Sequence, residues 1–256
     1  MPALLPVMDR TARAQGALWT MATGEAQDTS TGESVAFFAE RLGEESGRRL
    51  VLLPSYDGAF GLKAAEISHA IADGRLAAGA VPATALESLD PLFRLSGLPF
   101  ATKDDDDARA VLGRARDLYA RRLARDGQHL LYAAPLPAIG LWGKRPIKNP
   151  SDVIALKLGV EDAVGRAVFD AAHADVGSFS GNRREAELAP ADEASMRKIG
   201  PHLPCFTDLG YAVPLSFATL ATRLYDRLPA ALRESVDRAA ATTQENAWRV
   251  LARRRA

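Results

Sequence analysis

From Ala17 the chain alternates short apolar runs with stretches whose apolar residues recur three and four positions apart, the pattern of strands and amphipathic helices. Ala17–Ala22 (ALWTMA) predicts a strand and Thr23–Gly32 a polar loop. Ser34 is placed to cap a helix through Ser46, with Val35, Phe37, Phe38 and Leu42 on its apolar side and Gly47 closing it. Leu50–Leu53 predicts a buried strand stopped by Pro54. A loop over Ser55–Gly61 leads to a helix over Leu62–Asp73, ended by Gly74. Ala77–Ala85 reads as a small-residue strand or strand end, and Asp90–Phe100 is punctuated by proline.

The second half continues in the same way, less sharply. Asp104–Asp107 precede a helix that keeps Val111, Leu112, Leu118, Tyr119 and Leu123 in one stripe. His129–Ala134 and Leu156–Val160 predict strands, and a short helix capped by Ser151 lies between them. Gly165–Ala174 predicts another helix. Gly177–Gly200 is polar and carries little periodicity. Leu209–Leu220 reads as a strand and crossover, and Pro229 opens a final helix with Leu232, Val236, Ala239, Ala240 and Ala247 at helical spacing. Strands alternating with helices predict an α/β protein.

Composition narrows the function. The 256 residues carry 32 basic and 32 acidic side chains, and this zero balance argues against a nucleic-acid partner. A single Cys excludes an intramolecular disulfide. Motifs for enzyme chemistry are absent: there is no nucleophile elbow, phosphate-binding glycine loop or His-Glu-x-x-His pair. The four histidines (His69, His129, His173, His202) lack metal-ligand spacing, so no metal, cofactor or catalytic residue is assigned. Cys205 reads as an inert thiol. The acidic run Asp104–Asp107 reads as a solvated helix start that opposes the macrodipole, because consecutive residues point in different directions.

Ordered segments of the chain resemble the DctP-type substrate-binding proteins of TRAP transporters. The resemblance runs through Val35–Gly47 (VAFFAERLGEESG), Leu50–Gly61 (LVLLPSYDGAFG), Leu89–Phe93 with Leu98–Phe100, Lys144–Lys148 (KRPIK) with Pro150–Asp152, and His202–Leu220 with Tyr225–Pro229. It implies a two-lobed periplasmic binding protein-like α/β fold with hinge crossovers and a long C-terminal helix. The lobes are expected at 17–130 plus 211–240 and at 131–210 plus 241–256, with 1–16 a leader or signal remnant. Crossovers are expected near His129–Ala134 and Phe206–Val213. Met1–Met8 has no basic residue before its apolar stretch, so the native gene is expected to encode a different or upstream leader.

The implied function is a periplasmic receptor that binds a small organic ligand between its lobes and delivers it to TRAP membrane subunits. Two other classes stay open: a binding protein that signals to a membrane receptor, and an enzyme. Tyr56 and Phe60 either face a ligand or pack their own loop, and Trp142 either stacks on a ligand or packs the hinge. Thr84 and Tyr211 are placed to hydrogen-bond a ligand or serve structure alone. Lys63 is a cationic candidate, as is Lys157, and Glu161 with Asp162 either faces the ligand or is solvated. The resemblance also implies an Arg at the strand end where this chain has Gly159, and a second basic contact near Ala138, where there is none. Gly181–Ala194 is shorter than the family's second-lobe stretch and unlike it. Without those cations a dicarboxylate is expected to bind weakly, and a neutral or cationic ligand is favoured over the organic acids of the family, unless Lys63, Lys157, Arg183 or Arg184 reaches the cleft from a repositioned segment.

Overall fold

The computed structural model describes residues 16–179 and 183–255. The sequence expectation for residues 1–16 therefore lies, Gly16 apart, outside the described residues. In chain order the elements are β1 (Ala17–Thr23), α1 (Ser30–Glu45), β2 (Leu50–Ser55), α2 (Ala64–Ala72), β3 (Ala78–Pro82), α3 (Asp105–Ala124) and β4 (Gln128–Pro135). Then come β5 (Ile139–Gly143), β6 (Lys157–Gly159), α4 (Ala163–Ala171), β7 (Asp175–Val176), β8 (Ala186–Pro190), α5 (Glu193–Lys198) and β9 (Cys205–Ala212). The chain finishes with β10 (Leu215–Ala221), α6 (Thr222–Asp226) and α7 (Ala230–Arg255). They form two compact units: one of residues up to Leu95, Ala110–Leu136 and Leu215 onward, the other of Ser96–Arg109 and Pro137–Pro214.

The first unit is built on a sheet in the order β2-β1-β3-β10-β4, parallel from β2 to β3, with β10 antiparallel to both its neighbours. Pro54 does not stop β2, as its composition suggests; it pairs with Met21 inside the strand. An edge strand tolerates the missing N–H that a central strand would not. Helix α1 begins four residues before Ser34, because Thr29 is the cap and its hydroxyl accepts the Gly32 N–H at 3.1 Å. Its end follows the expectation. Gly47 takes φ +59°, Gly47 N–H donates to Glu44 O at 3.1 Å and Arg48 N–H to Gly43 O at 2.7 Å, which together close a Schellman turn.

In α3, Leu112, Ala115, Tyr119 and Leu123 are buried while Leu118 is exposed. Leu118 is one residue from Tyr119, about 100° around a helix, so it cannot share that face. The Asp104 carboxylate accepts the Asp107 N–H at 2.8 Å, as a capping side chain does. The core gathers Phe93, Tyr119 and Phe217 with ring centroids 4.8–5.6 Å apart. Burial raises the Tyr119 phenol to about 12. Helix α7 belongs to this unit along its whole length, where the sequence reading divides it at residue 240. Its anchors explain why: Ser235 donates to Glu45 O (2.9 Å), Arg238 pairs with Glu45 (2.9 Å), Gln244 accepts the Ala133 N–H (3.1 Å) and Arg254 pairs with Glu33 (2.6 Å).

The second unit has a sheet in the order β7-β6-β8-β5-β9, in which β6, β8 and β7 are parallel and β5 runs against β8 and β9. One core cluster includes Leu141, Leu158, Phe169 and Tyr211; a smaller one holds Trp142, Ala189, Ile199 and Leu203 with Phe206. The weakly periodic stretch before Gly200 contains β8 and α5, two elements the pattern did not reveal. Asp192 caps α5, accepting the Ser195 N–H at 2.7 Å. The short helix at 150–153 is a 3-10 turn that starts after Asn149, not Ser151; the Asp152 carboxylate reaches back to the Lys148 and Asn149 N–H groups at 2.8 and 3.0 Å. The strand and crossover expected over 209–220 are the end of β9, the unit change after Pro214 and the strand β10.

Candidate functional site

Open α/β sheets bind ligands outside the carboxyl ends of their parallel strands, where loops have room to vary. In the first unit that edge carries Thr23, Ser55 and Pro82, and β4 ends there too, since it runs parallel to β3 through β10. The loop after β2 is fixed by backbone: Asp57 N–H donates to Glu25 O at 3.0 Å and Gly58 N–H to Thr23 O at 3.2 Å. Asp57 and Gly58 both take left-handed φ, +55° and +60°. The loop thus holds Tyr56 and Phe60, both half-buried, at this edge, and Thr84 stands exposed in the turn after β3. Lys63 is exposed at the start of α2, where its backbone N–H donates to Glu66 at 2.7 Å.

Burial raises the Tyr56 phenol above its ordinary 10.0. It acts more strongly on Tyr132, to which the neighbouring Tyr56 adds. Tyr132 lies in β4 against Phe38, ring centroids 5.5 Å apart, and its buried hydroxyl has no hydrogen-bond partner among the described residues. Sequence reasoning missed this residue. Its one signal was a phenol inside an otherwise apolar strand.

In the second unit the corresponding edge carries Gly159, which ends β6, and Tyr211, near the end of β9; Glu161 is exposed two residues beyond Gly159. Helix α4 starts at Asp162, whose Oδ1 accepts the Gly165 N–H at 2.6 Å, while Arg166 donates to Val160 O at 2.9 Å. Gly165 is required here: a Cβ would lie 2.7 Å from Asp162 Oδ2 and 3.0 Å from the Tyr211 hydroxyl. That glycine lets the phenol and the carboxylate converge. Tyr211 is 2% exposed and stacks on Phe169 at 6.0 Å. Burial, with a smaller contribution from Asp162, raises its phenol to about 12, so it stays a neutral donor. Phe100, also missed, packs edge-on against Tyr211 with centroids 5.5 Å apart.

Gly159 carries no cation of its own, yet one covers it. The Arg184 Nε lies 3.4 Å from where a Gly159 Cβ would be. Its guanidinium is already engaged: Nε and Nη2 donate to Phe179 O at 3.0 and 2.8 Å, and Nη1 pairs with Glu187. Trp142 is 5% exposed, packs on Phe206 at 5.1 Å and donates its indole N–H to Pro190 O at 3.0 Å. It is a member of the smaller core cluster. A cleft of about 440 Å³ on that side is lined by Lys144, Arg184, Glu187, Lys198, Pro201 and His202; of these only Arg184 is a candidate from sequence, as a cation that a repositioned segment could bring to the ligand.

Two α/β units, each ending in a loop-bearing carboxyl edge and joined by repeated chain crossings, define the two-lobed fold of periplasmic binding proteins. The family model described as bacterial extracellular solute-binding protein, family 7 (DctP), matches residues 21–183. This chain belongs to that family: it is an extracytoplasmic solute receptor and not an enzyme. No curated protein is significantly similar in sequence. Among solved structures, a Bordetella pertussis extracytoplasmic solute receptor binding pyroglutamic acid superposes with a TM-score of 0.78 at 20% identity, covering 93% of this chain and 81% of that one. A TRAP periplasmic solute-binding protein from Ochrobactrum anthropi gives 0.82 at 17% identity, covering 94% and 78%. The sugar-acid-binding protein of Advenella mimigardefordensis, in complex with galactonate, gives 0.74 at 19%, covering 93% and 81%.

Proposed function

We propose that this receptor works in the periplasm, that it hands its solute to TRAP membrane subunits, and that the solute is neutral or cationic. Tyr56, Phe60, Lys63 and Thr84 form the binding surface of the first unit, and Gly159, Glu161 and Tyr211 that of the second. Trp142 is left out, since its indole N–H is already satisfied. The observation that carries the ligand class is the state of Arg184. A carboxylate taken out of water needs a buried cation with free donors; the cation over Gly159 is matched by Glu187 and the Phe179 carbonyl, and Lys63 is exposed to water, where its charge is screened. Tyr211, a neutral phenol beside Asp162, suits a hydroxyl, amide or ammonium group better than an anion.

Calorimetry with succinate, malate and their diamides tests this. Only the uncharged analogues are expected to bind. Tight succinate binding that is abolished by Arg184→Ala would overturn the ligand class and place the anion in the basic cleft. Cell fractionation of the native host tests the location: the mature protein is expected in the periplasmic fraction, and recovery only from the cytosol would contradict it.

A further inference from the structure

Phe100 is an anomaly of conformation. A bulky aromatic residue with positive φ is rare, because Cβ crowds the following carbonyl. Phe100 nevertheless holds φ +57° and leaves 56% of its surface exposed. Neither feature serves the core. The strained backbone is fixed by one strong contact, Phe100 N–H to Tyr211 O at 2.7 Å, and the ring stands edge-on to the Tyr211 ring at 5.5 Å. Tyr211 is in turn locked by stacking on Phe169 and by the space at Gly165. A chain of three rings thus runs from the interior of the second unit to an open phenylalanine at its carboxyl edge. Backbone strain of this kind persists only where the surrounding structure holds it, and it clusters at ligand clamps and binding sites.

We infer that Phe100 is a ligand-contacting residue, and that its open ring takes the flat face of a ring-bearing solute. This rests on the receptor reading above and deepens it by naming a ring-bearing solute class. Aromatic faces stack on flat rings and gain little from open polyol chains, so the same surface discriminates against the latter.

The test uses Phe100→Ala and Phe100→Tyr in the full chain, with 2-pyrrolidone, nicotinamide and uracil as neutral ring-bearing probes and galactitol as the neutral open-chain control. Ring-bearing probes are expected to raise the wild-type melting temperature where galactitol does not. By calorimetry, Phe100→Ala should weaken the best of them roughly tenfold and Phe100→Tyr should restore binding. The unliganded Phe100→Ala protein should melt within about 2 °C of wild type, because the ring is mostly exposed. Equal binding by wild type and Phe100→Ala would overturn the assignment. So would a large loss of unliganded stability with binding unchanged, which would make the ring structural. No shift with any ring-bearing probe would overturn the solute class alone; the receptor reading is tested separately by the solute that the purified protein releases.

Discussion

The two carboxyl edges are built by opposite means. In the first unit, backbone N–H groups of Asp57 and Gly58 tie the loop to β1, so the side chains of Tyr56 and Phe60 are carried without being needed for the loop's shape. In the second, side chains make the edge: Asp162 caps α4, Arg166 ties it to Val160, and Tyr211 fills the space that Gly165 leaves. An edge held by backbone tolerates new side chains; one held by side chains does not. The cores differ in the same sense. The first unit has a cluster of large aromatic residues and a 26-residue helix, and the second has two smaller clusters and strands as short as 2 and 3 residues.

The largest effect that sharpens this contrast is Phe217→Ala. Phe217 is fully buried between Phe93 and Tyr119, and its loss should cost about 3–5 kcal/mol in urea unfolding. A cost below about 1 kcal/mol would mean that the aromatic cluster does not hold the first unit. Next is Asp162→Ala, which removes the cap of α4 and should cost about 1 kcal/mol while also disturbing solute binding. Loss of stability without any change in binding would make that edge purely structural.

The pH dependence is third. Burial holds the His129 imidazole below its ordinary 6.5; Asp237 and Asp226 raise it less, and Arg116 lowers it further. His129 lies stacked on Tyr225 at 3.6 Å, and Tyr225 donates to Asp237. Because the folded state binds this proton more weakly than the unfolded chain, stability is present above pH 6.5 and falls as pH drops through that value toward the folded pKa. His129→Gln should flatten this part of the profile. Arg238 holds the half-buried Glu45 carboxyl below its ordinary 4.5, and its contribution is lost only further down, as pH falls below that value. The smallest effect is Asp57→Gly, which relieves a left-handed residue at φ +55° and should stabilise the first unit by about 0.5 kcal/mol with solute binding intact. A destabilisation would show that the Asp57 side chain shapes this loop after all.

Much of the first unit was legible in the sequence, because its long elements show their period and their ends. Gly47 marked the close of α1, and the spacing from Leu232 to Ala247 marked α7. The errors there had local causes: Thr29 outcompeted Ser34 as a cap, and Pro54 was read without knowing that β2 lies at an edge. The second unit was harder, since β8 and α5 span 5 and 6 residues, too few to show a period. Of the site, Gly159 was singled out for a missing side chain. The arginine that covers it, Arg184, is among the cations the sequence offers for the cleft, but no local pattern links it to Gly159, 25 positions earlier. Phe100 was read only as part of a Leu-Pro-Phe stretch, and its backbone conformation leaves no mark in the sequence.

The receptor account is tested most directly by mass spectrometry of small molecules released when protein purified from its native compartment is denatured. The account predicts one solute at near-stoichiometric yield, with no net negative charge. Release of a dicarboxylate would contradict the ligand class. Protein that releases nothing, and whose melting temperature no solute in a broad organic-acid, sugar and amine panel then shifts, would contradict the receptor function itself.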